Sequence, residues 1–180
     1  SDVRIAVVVG RQVDLAAQQS LAAMGLGDAP RFSVPMPFNT LLWRVVAMTP
    51  SGYVVGDRAL VADQGPMRFE GHPSNVQALR QASAIPAVQR LQWFNRGFMR
   101  AQVVDNQLVL SDLRMGLEPD YTFNFAVAEQ VDGQWRAIVP QQQRMDFSSP
   151  AARADAGRRL AAMWQRIWNA PPAAGHSIDP

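Results

Sequence analysis

The sequence predicts a single soluble α+β domain, in which N-terminal, central and C-terminal helices pack on a mainly antiparallel sheet of about six strands. Helical and strand patterns do not alternate as they do in a parallel βαβ fold, so the sheet should be antiparallel with the helices packed on one face. Turn signals at Asp105-Asn106 and Asp132-Gly133 join neighbouring strands into hairpins. A hydrophobic fraction of 48% with 18% charged residues is typical of a folded globule. We expect the domain to span 1–170, followed by a disordered tail over 171–180.

Four helices follow from periodicity and from start and stop signals. Apolar residues recur every three or four positions over 5–24, and Gly25 and Gly27 end this first helix. Pro73 and Pro86 occupy positions that suit the first residue of two short central helices. The last helix begins at Ser149-Pro150. Its apolar stripe is expected to dock it on the sheet or on the first helix, chiefly through two tryptophans; the stripe comprises Leu160, Met163, Trp164, Ile167 and Trp168.

Strands are predicted where apolar and β-branched residues concentrate between turn signals. The first pair, 41–48 and 53–60, turns at Pro50-Ser51-Gly52, and a third short strand is expected over 67–70. The remaining strands form a meander over 98–104, 108–113, 121–129 and 134–139.

Composition excludes several classes of chemistry. Cysteine is absent, so the chain has neither disulfides nor thiolates, although its compartment is left open. Lysine is also absent, and all 17 basic residues are arginine, which excludes a Schiff-base or P-loop lysine. The arginines are spread along a chain of net charge +2, without a basic stripe, so no nucleic-acid partner is expected.

No complete catalytic or metal site is predicted. His72 and His176 are far apart, and neither has a partner at metal-ligand spacing. The Gly-x-Ser-x-Gly motif of serine hydrolases is missing as well. The longest apolar runs, 5–9 and 45–48, are too short to span a membrane, and we expect no signal peptide. Because the chain opens on Ser-Asp-Val, we expect an excised fragment or a processed product.

Three charged residues interrupt apolar strand faces and are the candidate binding residues. Arg44 shares a face with Leu42 and Val46, and Asp112 and Arg114 continue the face begun by Leu108. A buried arginine needs a partner, for which Asp112, Glu118 and Asp57 are available. The group is either an internal Arg–Asp pair that sets strand register or an anion- or partner-binding cluster at the sheet edge. Trp93 and Phe94 are expected to be packing residues rather than a ligand platform.

Four strings of residues, taken in order, resemble a known family: 38–46 (FNTLLWRVV), 91–94 (LQWF), 112–116 (DLRMG) and 121–123 (YTF). Over about 1–140 the chain resembles the C-terminal soluble region of the bacterial membrane-bound metal-dependent hydrolases, also called LexA-binding inner-membrane-associated hydrolases. The signature carried over comprises Asn39, Trp43, Arg44, Asp112, Arg114 and Gly116.

The resemblance implies a missing half. In that family a multi-span membrane region with histidine-rich, metal-binding motifs precedes the soluble part. The chain would then be the extramembrane domain of a bacterial inner-membrane protein, with its own membrane region as partner. It would hold no cofactor itself, and any divalent metal would lie in the membrane part. The alternative is a non-catalytic module that binds a small anion or a protein partner; a self-contained enzyme is the weakest reading.

Overall fold

A computed structural model describes residues 2–37, 39–143 and 149–171, with the side chains of the first helix described from residue 7 onward. The helices are α1 (Asp2–Ala23), α2 (Val76–Gln81), α3 (Pro86–Asn95) and α4 (Pro150–Trp168). The strands are β1 (Arg31–Pro35), β2 (Leu42–Thr49), β3 (Gly52–Ala59), β4 (Glu70–Pro73), β5 (Met99–Val104), β6 (Gln107–Asp112), β7 (Gly116–Leu117), β8 (Asp120–Tyr121), β9 (Asn124–Val131) and β10 (Gln134–Gln143). The tail predicted for 171–180 lies, from residue 172 on, outside the described residues.

The α+β class and the antiparallel pairing are confirmed, but the single sheet of about six strands is wrong. The first sheet has the order β1-β2-β3-β4, the second sheet has the order β10-β9-β6-β5, and β7 and β8 form a separate hairpin. All pairings are antiparallel. The first sheet stops at β4, after which α2 and α3 lead the chain to the second sheet.

The hairpin predictions are confirmed at their turns. Asp105 and Asn106 have φ of 48° and 65°, and Asp132 and Gly133 have φ of 51° and 76°. Two positive φ values in a two-residue loop match the right-handed twist of the flanking strands.

Strand β1 was not predicted from the sequence, because prolines lie in and around it. An edge strand tolerates proline, and β1 is at the edge of the first sheet.

Three of the four helix starts were predicted from proline or serine signals. Pro86 begins α3 as predicted, and Ser149 caps α4 by accepting a hydrogen bond from the Ala152 amide. Pro73, however, ends the edge strand β4, and the short strand expected over 67–70 lies three residues later. The helix expected at Pro73 begins instead at Val76, because the Asn75 side chain caps it through the Ala78 amide at 2.9 Å.

Helices cover both faces of the first sheet, so their expected placement on one face is wrong. Alternation along β2 sends Trp43, Val45 and Ala47 towards α1, where they pack on a buried stripe of that helix (Val13, Ala17 and Leu21). The opposite face places Leu42 against α4. In the second sheet, α2 and α3 cover the side chains of β5, β6 and β9.

The α4 helix docks through Met163 and Ile167, which are buried with Leu42 and Ala59. The prediction that tryptophans dock it is wrong, since Trp164 is 45% exposed and Trp168 is 61% exposed. The apolar stripe is wider than the surface that receives it. Only its Met163 edge meets the sheet, and the tryptophans lie to the side.

Trp93 and Phe94 of α3 were expected to be packing residues, and this too is wrong. Trp93 is 82% exposed and Phe94 is 62% exposed. The buried face of α3 comprises Ala87, Val88 and Asn95 instead.

Among the described residues, no helix is long and apolar enough to cross a membrane.

Candidate functional site

Asn39 and Trp43, two of the residues singled out in the sequence, shape the start of β2. The Asn39 side chain accepts hydrogen bonds from the amides of Leu41 and Leu42, at 3.1 and 2.8 Å. Trp43 donates from its indole nitrogen to the Thr40 carbonyl at 2.9 Å and is buried against α1. Both residues therefore hold the strand that carries Arg44.

Arg44 is 2% exposed and joins the first sheet to the β7–β8 hairpin. It donates to the Gly116 carbonyl at 2.6 Å and to the Tyr121 hydroxyl at 2.7 Å. Gly116 has φ of 126°, and a Cβ there would lie 2.8 Å from the Tyr121 Cα. Glycine is required at this position because the two hairpin strands approach so closely.

Asp112 and Arg114 form a separate, local pair at the end of β6. The Asp112 carboxylate accepts two hydrogen bonds from the Arg114 guanidinium, at 3.1 and 2.8 Å, and one from the Arg114 amide at 2.9 Å. The Arg114 guanidinium also lies over the Phe94 ring, 5.3 Å from its centroid. Because the pair joins two residues of one segment, it does not set the register between strands, which was the role considered for an internal Arg–Asp pair.

The expectation of one charged cluster on one sheet is therefore wrong in its geometry. Arg44 belongs to the first sheet and Asp112 to the second. Within the described part of the chain, no hydrogen bond or ion pair joins them. Among the residues singled out in the sequence, Arg44 bonds to the Gly116 carbonyl rather than to an acidic side chain.

The acid that anchors this region is Glu118, at the turn between β7 and β8. It accepts hydrogen bonds from Tyr53 at 2.6 Å, Tyr121 at 3.0 Å and Arg100 at 3.0 Å. Tyr121 accepts from Arg44 while donating to Glu118, so a continuous chain of hydrogen bonds crosses the interface of the two sheets. We refer to Arg44, Tyr53, Arg100, Glu118 and Tyr121 as the Glu118 network.

The network sets the ionisation of its members. Burial alone would raise the pKa of Glu118, but hydrogen bonds from Tyr53 and Tyr121 and the charge of Arg100 outweigh it and hold that pKa below its ordinary value. Burial and the bond to Glu118 raise the pKa of Tyr53, and burial raises that of Tyr121 despite the nearby charge of Arg44.

Sequence reasoning named Glu118 only as an available acid and overlooked Arg100. The signal was present, because Arg100 interrupts the apolar strand 98–104 as Arg44 interrupts 41–48. The roles of Tyr53 and Tyr121 had no such signal, since a buried tyrosine looks like any aromatic core residue until its hydroxyl finds a partner.

A cleft of about 530 Å³ opens beside this network, beneath α4. The basic residues that line it are Arg44, Arg159 and Arg166. The acidic residues that line it are Asp57, Glu70 and Glu118. His72 also lines it and stacks on Tyr53 with ring centroids 5.4 Å apart. We call this space the α4 cleft.

Two ionisable side chains of the cleft have a buried atom without a hydrogen bond. Asp57 lies opposite Arg44 across β2 and β3. Neither Asp57 Oδ1 nor Arg44 Nε has a partner in the described structure. Burial raises the pKa of Asp57, and the charges of Arg44 and Arg166 only partly oppose it. Asp57 is thus a carboxyl group held where its ionised form is disfavoured.

Two arginines of α4 line the cleft and attach the helix to neighbouring elements. Arg166 binds Asp63 with 2.8 Å between Nη1 and Oδ1, and it also donates to the Asp57 carbonyl at 3.3 Å. Arg159 bonds to Asp120 of β8 and, within the helix, to Asp155. These ion pairs fasten α4 to the loop after β3 and to the β7–β8 hairpin.

The residues present do not suggest a metal centre. No group of three or more histidine or acidic side chains is arranged to hold a metal ion in the described ranges, and His176 falls outside them. We predict that protein purified without chelator contains no stoichiometric zinc, manganese or iron by elemental analysis. One bound equivalent that disappears in His72→Ala would contradict this.

No family model, curated protein or solved structure matches the chain.

Proposed function

We propose that the chain is the extramembrane domain of an inner-membrane protein of the hydrolase type it resembles. In this proposal the domain is non-catalytic and binds a small polar ligand in the α4 cleft. The ligand carries an anionic group and at least one hydrogen-bond donor. The observation that supports it best is the arrangement of arginines and carboxylates around one cleft, with Arg44 and Asp57 at its inner wall.

The state of Asp57 favours a binding role over a purely structural one. A carboxyl group that only stabilised the fold would be expected to have its buried oxygens hydrogen-bonded. Asp57 instead has a buried oxygen without a partner and a pKa raised by burial. Groups that lower stability in this way concentrate at functional sites, because their ligand supplies the missing interaction.

Arg159 is the residue best placed to receive an anionic group. It lines the cleft, and its side chain is half-exposed, unlike that of Arg44. Its carboxylate partners, Asp120 and Asp155, are similarly exposed, so these pairs are weak and exchangeable. A guanidinium binds carboxylate or phosphate through two parallel hydrogen bonds. The anionic group of the ligand would replace one of these aspartates as the partner of Arg159. The hydrogen-bond donor of the ligand would then face the acidic residues of the cleft.

Calorimetric titration of the domain with hydroxycarboxylates, amino acids and phosphomonoesters tests the binding. We expect one of these classes to bind, and Arg159→Gln to weaken that binding about tenfold or more, as for a lost charged hydrogen bond. Arg158→Gln is the matched control, since Arg158 is on the same helix, pairs with the same Asp155 and does not line the cleft. Equal loss in both variants, or no binding by any class, would contradict the site.

Asp57→Asn should raise stability while lowering ligand affinity. The folded protein holds the proton of Asp57 more tightly than the unfolded chain does, so ionised Asp57 lowers stability above the folded-state pKa. At neutral pH we expect a gain of about 0.5–2 kcal/mol, the range common for single stabilising substitutions. The gain should vanish below the unfolded value of about 3.9. Thermal melts from pH 3 to 8 measure it, and a loss of stability at neutral pH would show that Asp57 is structural.

The extramembrane assignment has its own test. The gene that encodes the chain should also encode several apolar spans and a histidine-rich motif upstream of it. The native protein should sediment with inner membranes and resist extraction by high salt. A native protein that stays in the supernatant would contradict the assignment without affecting the cleft.

A further inference from the structure

Acidic residues are absent from one long segment of this chain, although the arginines are spread along all of it. Residues 71–104, which contain α2, α3 and β5, include four of the 17 arginines and none of the 15 acidic residues. This segment therefore carries +4, while the rest of the chain carries −2. Arg100 is engaged with Glu118, but Arg80, Arg90 and Arg96 have no ion pair among the described residues. An uncompensated basic surface attracts an anionic partner.

Exposed aromatic residues lie within this basic surface. Arg90, Trp93 and Phe94 are spaced i, i+3 and i+4 on α3, so they lie on one side of the helix. Trp93 and Phe94, at 82% and 62% exposed, are the most exposed aromatic residues in the described part of the chain. Arg96 follows at the left-handed cap of the helix.

The apolar area extends onto the loop after β6. Phe94 and Phe123 line one small hollow, and the Asp112 amide donates to the Phe123 carbonyl at 3.0 Å. Met115 is 46% exposed, and its carbonyl accepts a hydrogen bond from the Thr122 amide at 2.9 Å, so it lies next to the segment that contains Phe123. We call the exposed side chains of Arg90, Trp93, Phe94, Arg96, Met115 and Phe123 the α3 surface.

The shape of the α3 surface indicates what covers it. The hollow between Phe94 and Phe123 measures about 40 Å³, far smaller than the roughly 300–1,000 Å³ of a ligand pocket. Trp93 projects outward, so a protein partner would have to supply a matching pocket. The interface of a lipid bilayer needs none, and it is where tryptophan with neighbouring basic residues concentrates.

We infer that the α3 surface lies against an anionic lipid bilayer, with Trp93 and Phe94 in the headgroup region and Arg90 and Arg96 beside anionic lipids. The inference deepens the proposed extramembrane role and rests on it. Two arginines and two aromatic rings provide modest attraction on their own. A tether to the membrane would raise the local concentration enough for such a surface to orient the domain.

Co-sedimentation of the chain with vesicles tests this inference. We expect binding to vesicles of equal parts phosphatidylglycerol and phosphatidylcholine, weaker binding to phosphatidylcholine alone, and a decrease in 0.5 M salt. Arg90→Gln with Arg96→Gln should weaken binding to the anionic vesicles about tenfold, and Trp93→Ser with Phe94→Ser should abolish it. Melting temperatures of these surface variants verify folding.

Two matched controls use other parts of the chain. Arg136→Gln with Arg158→Gln removes the same charge from exposed positions elsewhere, and Trp164→Ser with Trp168→Ser removes the other exposed aromatic pair. Both should leave vesicle binding within about twofold. The inference would be overturned if the Trp164→Ser, Trp168→Ser variant lost vesicle binding while the Trp93→Ser, Phe94→Ser variant kept it.

Other outcomes also decide it. Binding to a single-stranded oligonucleotide but not to vesicles would assign the surface to nucleic acid. If the chain bound none of the vesicles although the native protein sedimented with membranes, that result would contradict lipid binding by the α3 surface but not the extramembrane assignment.

Discussion

Glu118→Gln should lower the free energy of unfolding by about 2–3 kcal/mol at neutral pH. The carboxylate accepts hydrogen bonds from Tyr53, Tyr121 and Arg100 through two oxygens. Glutamine keeps the shape but offers one oxygen and an NH₂ group, so at least one of these donors loses its acceptor and Arg100 loses its counter-charge. Urea unfolding followed by tryptophan fluorescence measures the loss.

The pH dependence identifies the charge as the cause. The pKa of Glu118 in the folded protein lies below its ordinary value, so the unfolded chain takes up this proton first as pH falls. The stabilisation is fully present above the unfolded-state pKa of about 4.3 and is lost as pH falls through the folded-state pKa. The gap between the native chain and the variant should therefore close in acid.

Glu129→Gln is the control for this experiment. Glu129 is exposed on β9 and outside the network, so its replacement should change stability by no more than about 0.5 kcal/mol. If the two variants behaved alike at neutral pH, the Glu118 network would not be what joins the sheets.

Ile167→Ala should lower the free energy of unfolding by about 3 kcal/mol. Ile167 is fully buried between α4 and the first sheet, beside Met163, Leu42 and Ala59. Truncation removes its buried methyl and methylene groups and leaves a cavity, a change that costs about 2–5 kcal/mol in other cores. Chemical denaturation measures it, and α4 should become more accessible to limited proteolysis.

Trp164→Ala provides the comparison on the same helix. From the periodicity alone, its loss would be expected to cost about 3–5 kcal/mol, as for a buried aromatic residue. The structure leaves Trp164 half-exposed beside the docking face, so we expect at most about 1 kcal/mol. A Trp164 effect as large as that of Ile167 would mean that α4 docks through its other edge.

The candidate site was predictable in one respect. Arg44 stands out in the sequence because a charged side chain on an apolar strand face must have a partner. The same reasoning selected Asp112 and Arg114, which do pair, but with each other over two residues. Sequence reasoning detects that a charge needs compensation, but it does not identify the compensating group when that group is a carbonyl or a phenol, such as Gly116 or Tyr121.

The sequence by itself determined the local structure: the α+β class, the two hairpins with positive φ at their turns, the proline start of α3 and the serine cap of α4. These depend on interactions within a few residues, so the local pattern specifies them. Only the tertiary structure decided that the strands divide into two sheets, that Glu118 joins them and that α4 docks through Ile167 rather than its tryptophans. Periodicity marks an apolar stripe but not which edge of it another element covers, because that depends on residues distant along the chain.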